Sequence, residues 1–374
     1  MSAQRFPRAE AACRMGEPHL WSKAKTRGLV AACREMALFH ERNSPELRAL
    51  YRRRGFRPGS IGAESDLARI PALGVSAMKS FLLLSRPAGK ACLKLTSSGT
   101  RGQKTRIWFD EGSLARCQAM LASQWEQEGL VSGEPANYLM FVHDPREAKD
   151  LGIAFSDTNQ QRFAPVAAAH YALRKGASGW EFQKSETLEA LERFASEGKP
   201  VRVFGMPGFI HEFLDFMPGP VHLPAGSWMV TGGGWKAAED KKVSRENFRE
   251  RVSRLLGLPQ ERVRDAYGMA EHCAPYLECR EHRFHVPAFC RVIPRDPITL
   301  KTLPPGRTGL LELLTPFNTM MPNLAVLSTD LGFLAPEPCP CGYNSPTFTL
   351  VGRGGIAKHK GCALHAGEIV RRSA

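Results

Sequence analysis

Between Leu95 and Arg106 the chain reads LTSSGTRGQKTR. Thr96, Ser97, Ser98 and Thr100 surround Gly99 and Gly102, and Arg101, Lys104 and Arg106 add positive charge. Such a segment can wrap a polyphosphate. Glycines let backbone N–H groups approach the anion, hydroxyls donate hydrogen bonds, and cations neutralise charge. The spacing is not GxxxxGK[ST], because Gln103 precedes Lys104. By itself the cluster is equally compatible with an ordinary polar loop. Four further segments follow it: VTGGGWK at 230–236, DAYGMAEH at 265–272, STDLGFL at 328–334 and VGRGGIAKHKG at 351–361. Each alone has a plain reading, since an Asp after a strand is commonly a turn former.

A second set of residues could hold a metal. Cys339-Pro-Cys341-Gly is a knuckle, and Cys279 and His285 offer two more ligands upstream, a set that suits tetrahedral zinc. His282 and Cys273 compete as ligands, and reduced thiols in a turn are the plain alternative. Near the chain end Cys362 follows Gly361, with Lys358, His359, Lys360 and His365 close by. Cations near a thiol favour the thiolate, so this is a candidate nucleophile; an incidental terminal thiol is the alternative. Cys13, Cys33, Cys92, Cys117 and Cys290 stand singly and read as buried or half-buried thiols.

Positioning these residues requires regular elements. Residues 9–55 carry apolar side chains at three- and four-residue spacing and read as helices, with Asn43-Ser44-Pro45 opening a second one. The linker GFRPGSIGAESD and the short apolar segment IPALGVSAMKSFLLLS lead to the Gly/Ser/Thr loop. Helices are expected over 111–128, over TLEALERFASEG up to Gly198, and over the basic stretch 244–256. NYLMFVHD, VRVFGMP, SWMVTGGGWK and RVRDAYGM read as strands, the last two running into turns. After 285 short strands alternate with Pro/Gly turns. The expectation is an α/β fold with a small β-rich subdomain.

The 374 residues exceed one ordinary core, so two or three packed subdomains are expected. No run of 18 apolar residues occurs, which gives no membrane span. The first residues lack an apolar signal core, so a cytoplasmic location is expected. Ten cysteines in such a chain argue against a disulfide framework. The net charge is +14, concentrated at Arg48–Arg57 and Lys241–Arg264. No zinc finger, aromatic RNA-binding signature or long basic tail accompanies it, so a basic surface that attracts nucleotides is preferred to a nucleic-acid function.

In this order and at these separations, the five segments resemble the adenylate-forming superfamily of acyl-CoA ligases and their relatives. The resemblance covers roughly residues 90–361 and implies that superfamily's N-terminal-domain fold. It implies that Ser97, Ser98, Gly99, Thr100, Gly102 and Lys104 hold the ATP phosphates, and that Gly232, Gly233 and Gly234 line the adenine pocket. Tyr267 would stack on adenine, Glu271 would ligate Mg²⁺, and Asp330 would accept from the ribose hydroxyls beside Arg353. Arg101 stands where the family usually has Thr, and Lys104 is displaced. Ordinary members are longer and carry a catalytic lysine in a C-terminal domain; here 13 residues follow Gly361, and Lys236, Lys358 and Lys360 are the candidates.

The short chain, IPALGVSAMKSF, TGGGWK and KGCALHAGEI are similar to the acyl-protein synthetase branch, the ligase of the bacterial bioluminescence fatty-acid reductase. That branch implies a long-chain fatty acid, an acyl thioester on Cys362 and an acyl-reductase or acyl-transferase protein partner. The expected organisation is a helical segment 1–60, an adenylation domain 61–345 and a short segment 346–374 carrying the acceptor cysteine. A CPCG arrangement with an upstream Cys and His is similar to phenylacetate-CoA ligase-like enzymes, some of which bind structural zinc. An acyl- or aryl-CoA ligase, which would not need Cys362, and a non-catalytic scaffold are the competing readings.

Overall fold

The computed structural model describes residues 5–96, 105–147, 161–176, 179–235 and 241–354. Ser97, Ser98, Gly99, Thr100, Gly102, Lys104, Lys236, Lys358, Lys360 and Cys362 lie outside the described residues. The chain divides into two compact units. The first takes in the chain up to Gln127, Met269–Tyr276 and the chain from Arg283 onward; the second takes in Glu128–Gly268 and Leu277–His282.

The first unit opens with helices α1 (Pro7–Cys13), α2 (Lys23–Asn43) and α3 (Pro45–Arg53). Their starts are chemically marked. Ser22 Oγ accepts from Lys25 N at 3.2 Å, and Ser44 Oγ accepts from Leu47 N at 3.3 Å with Pro45 in the first turn. Leu29, Cys33, Met36 and His40 recur at helical spacing and are buried. Short helices α4 (Glu64–Leu67) and α5 (Val75–Ser80) follow, with the two-residue β1 (Leu73–Gly74) between them. Then β2 (Leu93–Thr96) and β3 (Arg106–Phe109) pair antiparallel, with Thr96 opposite Arg106. Thr105 directly precedes β3. Helix α6 (Glu111–Gln127) comes directly after it.

The rest of this unit is a mostly antiparallel sheet of β11 (Phe284–His285), β12 (Arg291–Arg295), β13 (Gly309–Leu314), β14 (Ala325–Leu334) and β15 (Thr347–Arg353). The strand order is β11-β15-β14-β13-β12, and β1 joins β14 in parallel. This is the β-rich region expected after residue 285.

The second unit is an α/β layer built on a mostly parallel sheet. Strands β4 (Ala136–His143), β5 (Val166–Gly176), β6 (Gly179–Phe182), β7 (Val201–Gly205), β8 (Trp228–Gly232) and β9 (Val263–Tyr267) run in the order β9-β8-β7-β4-β5-β6, and the two-residue β10 (Tyr276–Leu277) lies beyond β9. All neighbours from β9 to β5 are parallel, and β6 turns back antiparallel on β5. Helices α7 (Lys184–Ser196), α8 (Pro207–Phe216) and α9 (Arg245–Leu256) contribute to its core. Ala190, Leu191, Phe194, Ile210, Phe213, Phe248, Val252 and Leu256 pack there against Leu139, Val203 and Met229 of the sheet. β4 and β7 are buried along almost their whole length, as parallel strands covered on both faces must be.

The single cysteines are not uniform. Cys13, Cys33 and Cys290 are buried and Cys117 is half-buried, whereas Cys92 is exposed, contrary to the expectation for that residue. Cys92 directly precedes β2, and its thiol reaches the Phe109 carbonyl at 3.4 Å.

His40 is fully enclosed, and its Nδ1 lies 2.8 Å from Ser85 Oγ. Burial pulls its pKa from 6.5 down to about 3. The unfolded chain therefore takes up a proton below 6.5 that the folded chain refuses until about 3, so stability falls as pH drops through that window. In His40→Gln, calorimetry in buffers of different ionisation enthalpy should show about one proton fewer taken up on unfolding near pH 5. Unchanged uptake would show that His40 is already protonated in the fold.

Candidate active site

In the second unit, β8 and β9 lie side by side and both end at the same edge, with Gly232 opposite Ala266. The carboxyl ends of parallel strands are where open α/β sheets bind ligands. There Gly233 and Gly234 turn the chain with φ of 78° and 72°, a region that favours glycine. Trp235 leaves this turn and packs edge-on against Phe248 and His211, with ring centroids 6.1 Å and 5.3 Å away. Tyr267 ends β9 and is half-buried. Gly232, Gly233, Gly234 and Tyr267 thus occupy neighbouring strand ends.

Asp265, two residues before Tyr267, ties these strands together. Its Oδ1 accepts from Thr231 Oγ1 on β8 at 2.8 Å and from Ala266 N at 3.0 Å. Burial, and then the charge of Glu278, push its pKa up to about 6, against the pull of Arg245. Glu278 in turn accepts the Asp265 N–H at 2.8 Å, and Arg245 Nη1 lies 3.2 Å from its carboxylate. Asp265 lies within DAYGMAEH, where the sequence alone assigns it no role.

In the first unit, Glu271 is buried at 5% exposure. Thr105, directly before β3, donates its hydroxyl to Glu271 Oε1. Asn323 Nδ2 donates to the Glu271 carbonyl at 2.8 Å. The turn that carries Glu271 is closed by Cys273 N and His272 N, which donate to Met269 O at 2.9 Å and 3.1 Å. His272, beside Glu271, points into the core. It stacks on Tyr276, its Nε2 lies 2.8 Å from that tyrosine's hydroxyl, and burial lowers its pKa to about 3. It is a neutral packing group.

Asp330 is buried in β14, and Arg353 ends β15 directly opposite it. Arg353 Nε donates to Asp330 Oδ1 at 3.2 Å, and the Asp330 N–H donates to Ser328 Oγ at 3.1 Å. Arg353 is itself largely exposed, so the pair orients the carboxylate more than it stabilises the fold. The structure thus brings together Glu271 with Thr105 and Asn323, Asp330 with Arg353, and the glycine turn with Tyr267. Thr105 and Asn323 were not singled out from the sequence.

The sulfur cluster has three donors in the first unit. Ligand atoms of His285, Cys339 and Cys341 lie within 4.8 Å of one another, and Cys341 Sγ is 3.2 Å from His285 Nε2. His285 Nδ1 is engaged with Ser345 Oγ at 2.8 Å, which directs Nε2 toward the cysteines. Cys279 is buried on Leu277–His282. Neither competing candidate, Cys273 nor His282, is among these donors. The Cys273 thiol reaches the Ala270 carbonyl at 2.6 Å, and His282 Nδ1 lies 3.8 Å from Glu278.

Comparison with known proteins identifies the family. The family model for acyl-protein synthetase, LuxE, matches residues 18–370. This chain belongs to that family. A long-chain-fatty-acid–luciferin-component ligase of Vibrio harveyi is 26% identical over 355 residues, covering 94% of this chain and 90% of that protein. A ligase of the same name from Aliivibrio fischeri is 25% identical over 285 residues, covering 74% of this chain and 72% of its own. Among solved structures, an open conformation of 2-hydroxyisobutyryl-CoA ligase, in complex with 2-HIB-AMP and CoA, superposes with a TM-score of 0.66 at 14% identity, covering 91% of this chain and 74% of that one. The LuxE-family chain therefore has the fold of adenylate-forming ligases, as expected from its motifs. Among the described residues no helix is long and apolar enough to cross a membrane.

The β14–β15 pairing that sets Asp330 against Arg353 depends on Gly332. The register shifts beside it, and a Cβ there would come within 2.4 Å of the Thr349 carbonyl oxygen. Gly332→Ala should force the strands apart and cost about 1–3 kcal/mol in denaturant unfolding. It should also raise the KM for ATP more than it changes kcat. An unaltered unfolding midpoint would show that β15 moves aside freely.

Proposed function

We propose that this chain activates a long-chain fatty acid with ATP and passes the acyl group to Cys362 for delivery to an acyl-reductase protein. The observation that carries the reading is the family match across 18–370, which spans every motif residue named above and Cys362. The names of the two bacterial ligases supply the substrate class and the reaction type.

The roles are those the resemblance to adenylate-forming ligases implies. Ser97, Ser98, Gly99, Thr100, Gly102 and Lys104 cradle the phosphates, and Lys236 is a candidate for the catalytic lysine. The glycine turn 232–234 and Tyr267 receive the adenine at the strand ends. Asp330, oriented by Arg353, accepts from the ribose hydroxyls. Glu271 fits a magnesium ligand: it is a buried carboxylate in an oxygen-rich setting, with the Thr105 hydroxyl and the Asn323 amide beside it. Magnesium, when bound, supplies charge neutralisation between the phosphate oxygens.

In the first half-reaction a carboxylate oxygen of the fatty acid bonds to the α-phosphorus and pyrophosphate leaves. In the second, the Cys362 thiolate bonds to the acyl carbon and AMP leaves with the electron pair of the anhydride bond. The thioester then exchanges onto a thiol of the partner. Five of the other cysteines are poorly suited to this step. Burial pushes the thiols of Cys117 and Cys290 up to about 12 and raises those of Cys13, Cys33 and Cys273 as well.

Incubation with ATP, magnesium and radiolabelled fatty acid should leave a hydroxylamine-sensitive label on the protein. Cys362→Ser should lose that label while keeping acid-dependent pyrophosphate exchange with ATP. Full product formation with free CoA by the serine variant would support a CoA ligase instead. Absence of exchange with every acid, in folded protein, would support the scaffold.

The donor set His285, Cys339 and Cys341, completed by Cys279, suits structural zinc, with three sulfurs and one imidazole. Purified protein should contain about one zinc per chain. Cys341→Ser should lower that content and the unfolding temperature together. Metal-free wild-type protein of normal stability would overturn the zinc assignment.

A further inference from the structure

We propose that Thr105 and Asn323 are positioning residues that hold Glu271 in the orientation required to take a divalent cation; the proposal rests on the reading of Glu271 as the magnesium ligand. Glu271 is gripped at two points. Its carboxylate receives the Thr105 hydroxyl, and its main-chain carbonyl receives the Asn323 amide at 2.8 Å. All three residues are buried, Thr105 at 0% and Asn323 at 1% exposure.

The first grip uses one carboxylate oxygen, Oε1, and fixes the plane of the carboxylate. A carboxylate held in this way does not have to be ordered when the cation arrives, which is how outer partners sharpen metal sites. Thr105 also lies one residue before β3 begins. The hydroxyl that orients Glu271 therefore belongs to the same segment as the phosphate-binding residues.

The second grip has an unspent half. Asn323 Oδ1 is buried and has no hydrogen-bond partner among the described residues. Buried acceptors are normally satisfied. A hydrated magnesium ion carries water molecules that can donate, and magnesium keeps several of them in protein sites. A purely structural pair would serve burial alone and leave cation affinity untouched.

The test is binding of Mn²⁺, read by its electron paramagnetic resonance signal, in the presence of a non-hydrolysable ATP analogue. Thr105→Val should weaken Mn²⁺ binding by about 10–100-fold. In turnover it should raise the magnesium concentration needed for half-maximal rate, with the KM for fatty acid unchanged. Thr105→Ser should restore both values. Asn323→Asp, which loses the amide donor, should weaken Mn²⁺ in the same direction.

If valine disturbs packing, Thr105→Ala against Thr105→Ser keeps the comparison open, since only serine retains the hydroxyl. Tight Mn²⁺ binding by folded Thr105→Val or Thr105→Ala would overturn the proposal. Glu271→Gln separates the two layers of argument. If it binds Mn²⁺ as wild type does, the reading of Glu271 fails. If it loses Mn²⁺ while the Thr105 variants keep it, Glu271 stands and the positioning role fails.

Discussion

The first unit is organised around a buried guanidinium. Arg116 on α6 is 1% exposed, and every nitrogen of its head has a partner. Nε donates to the Phe317 carbonyl, Nη1 to Glu10 on α1, and Nη2 to Thr319 Oγ1. Thr319 passes the connection on to Asp110 at 2.7 Å, and Asp110 accepts Ser113 N and Oγ at 2.8 Å and 2.6 Å. Burial opposes charge on Asp110. The hydrogen bonds from Ser113 and Thr319, with Arg86 nearby, outweigh it and hold the carboxyl below its usual range. Leaving such a buried charge without its partner typically costs about 3–5 kcal/mol. One network therefore fixes α1, the start of α6 and the segment 317–319, and Asp110 immediately follows β3.

The β2–β3 pair hangs from this network. Asn318 Nδ2 reaches the Trp108 carbonyl at 3.5 Å, and Trp108 N reaches Met321 Sδ at 3.1 Å. Asn318 Oδ1 meanwhile holds Met320 N and Met321 N at 2.9 Å and 3.2 Å. A little farther along, Asn323 meets Glu271. The segment 317–323 thus supports β3 at one end and Glu271 at the other. β3 and Glu271 are supported by one buried strip of chain rather than by two independent segments.

Much of this was legible in the sequence because the signals were periodic or glycyl. Leu29, Cys33, Met36 and His40 mark α2, and Phe248, Val252 and Leu256 mark α9, closed by Gly257 with φ of 67°. The strands β4, β7, β8 and β9 stood out as short apolar runs ending in turns. The β5–β6 hairpin was missed. VAAAHYALRKG is rich in alanine and does not alternate, and its exposed beginning gives it no buried-strand signature. The β2–β3 pair was missed because Leu93–Thr96 is too short to show a period. Arg116 reads in sequence as a solvated helix charge, and nothing local announces partners about 200 positions away. The resemblance named Glu271, Tyr267, Asp330 and Arg353 but not the residues that orient them. Thr105, Asn323 and Asp265 act through neighbours distant in the chain, and their spacing carries no pattern.

The supporting residues differ from the motif residues in what they require of their surroundings. Tyr267 and Arg353 remain partly or largely open. Thr105 and Asn323 are drawn inward, where low dielectric strengthens each hydrogen bond and makes each unmet one costly, and Asp265 is half-buried. Asp265 shows the consequence. Burial beside Glu278 raises its pKa toward neutrality, yet the Thr231 hydroxyl and Ala266 N–H keep its Oδ1 in use. The strand ends that carry Tyr267 and the glycine turn are therefore joined by a carboxyl group held against its own preference for water. Its place on β9 is what Arg245 and Thr231 make tolerable against the charge of Glu278.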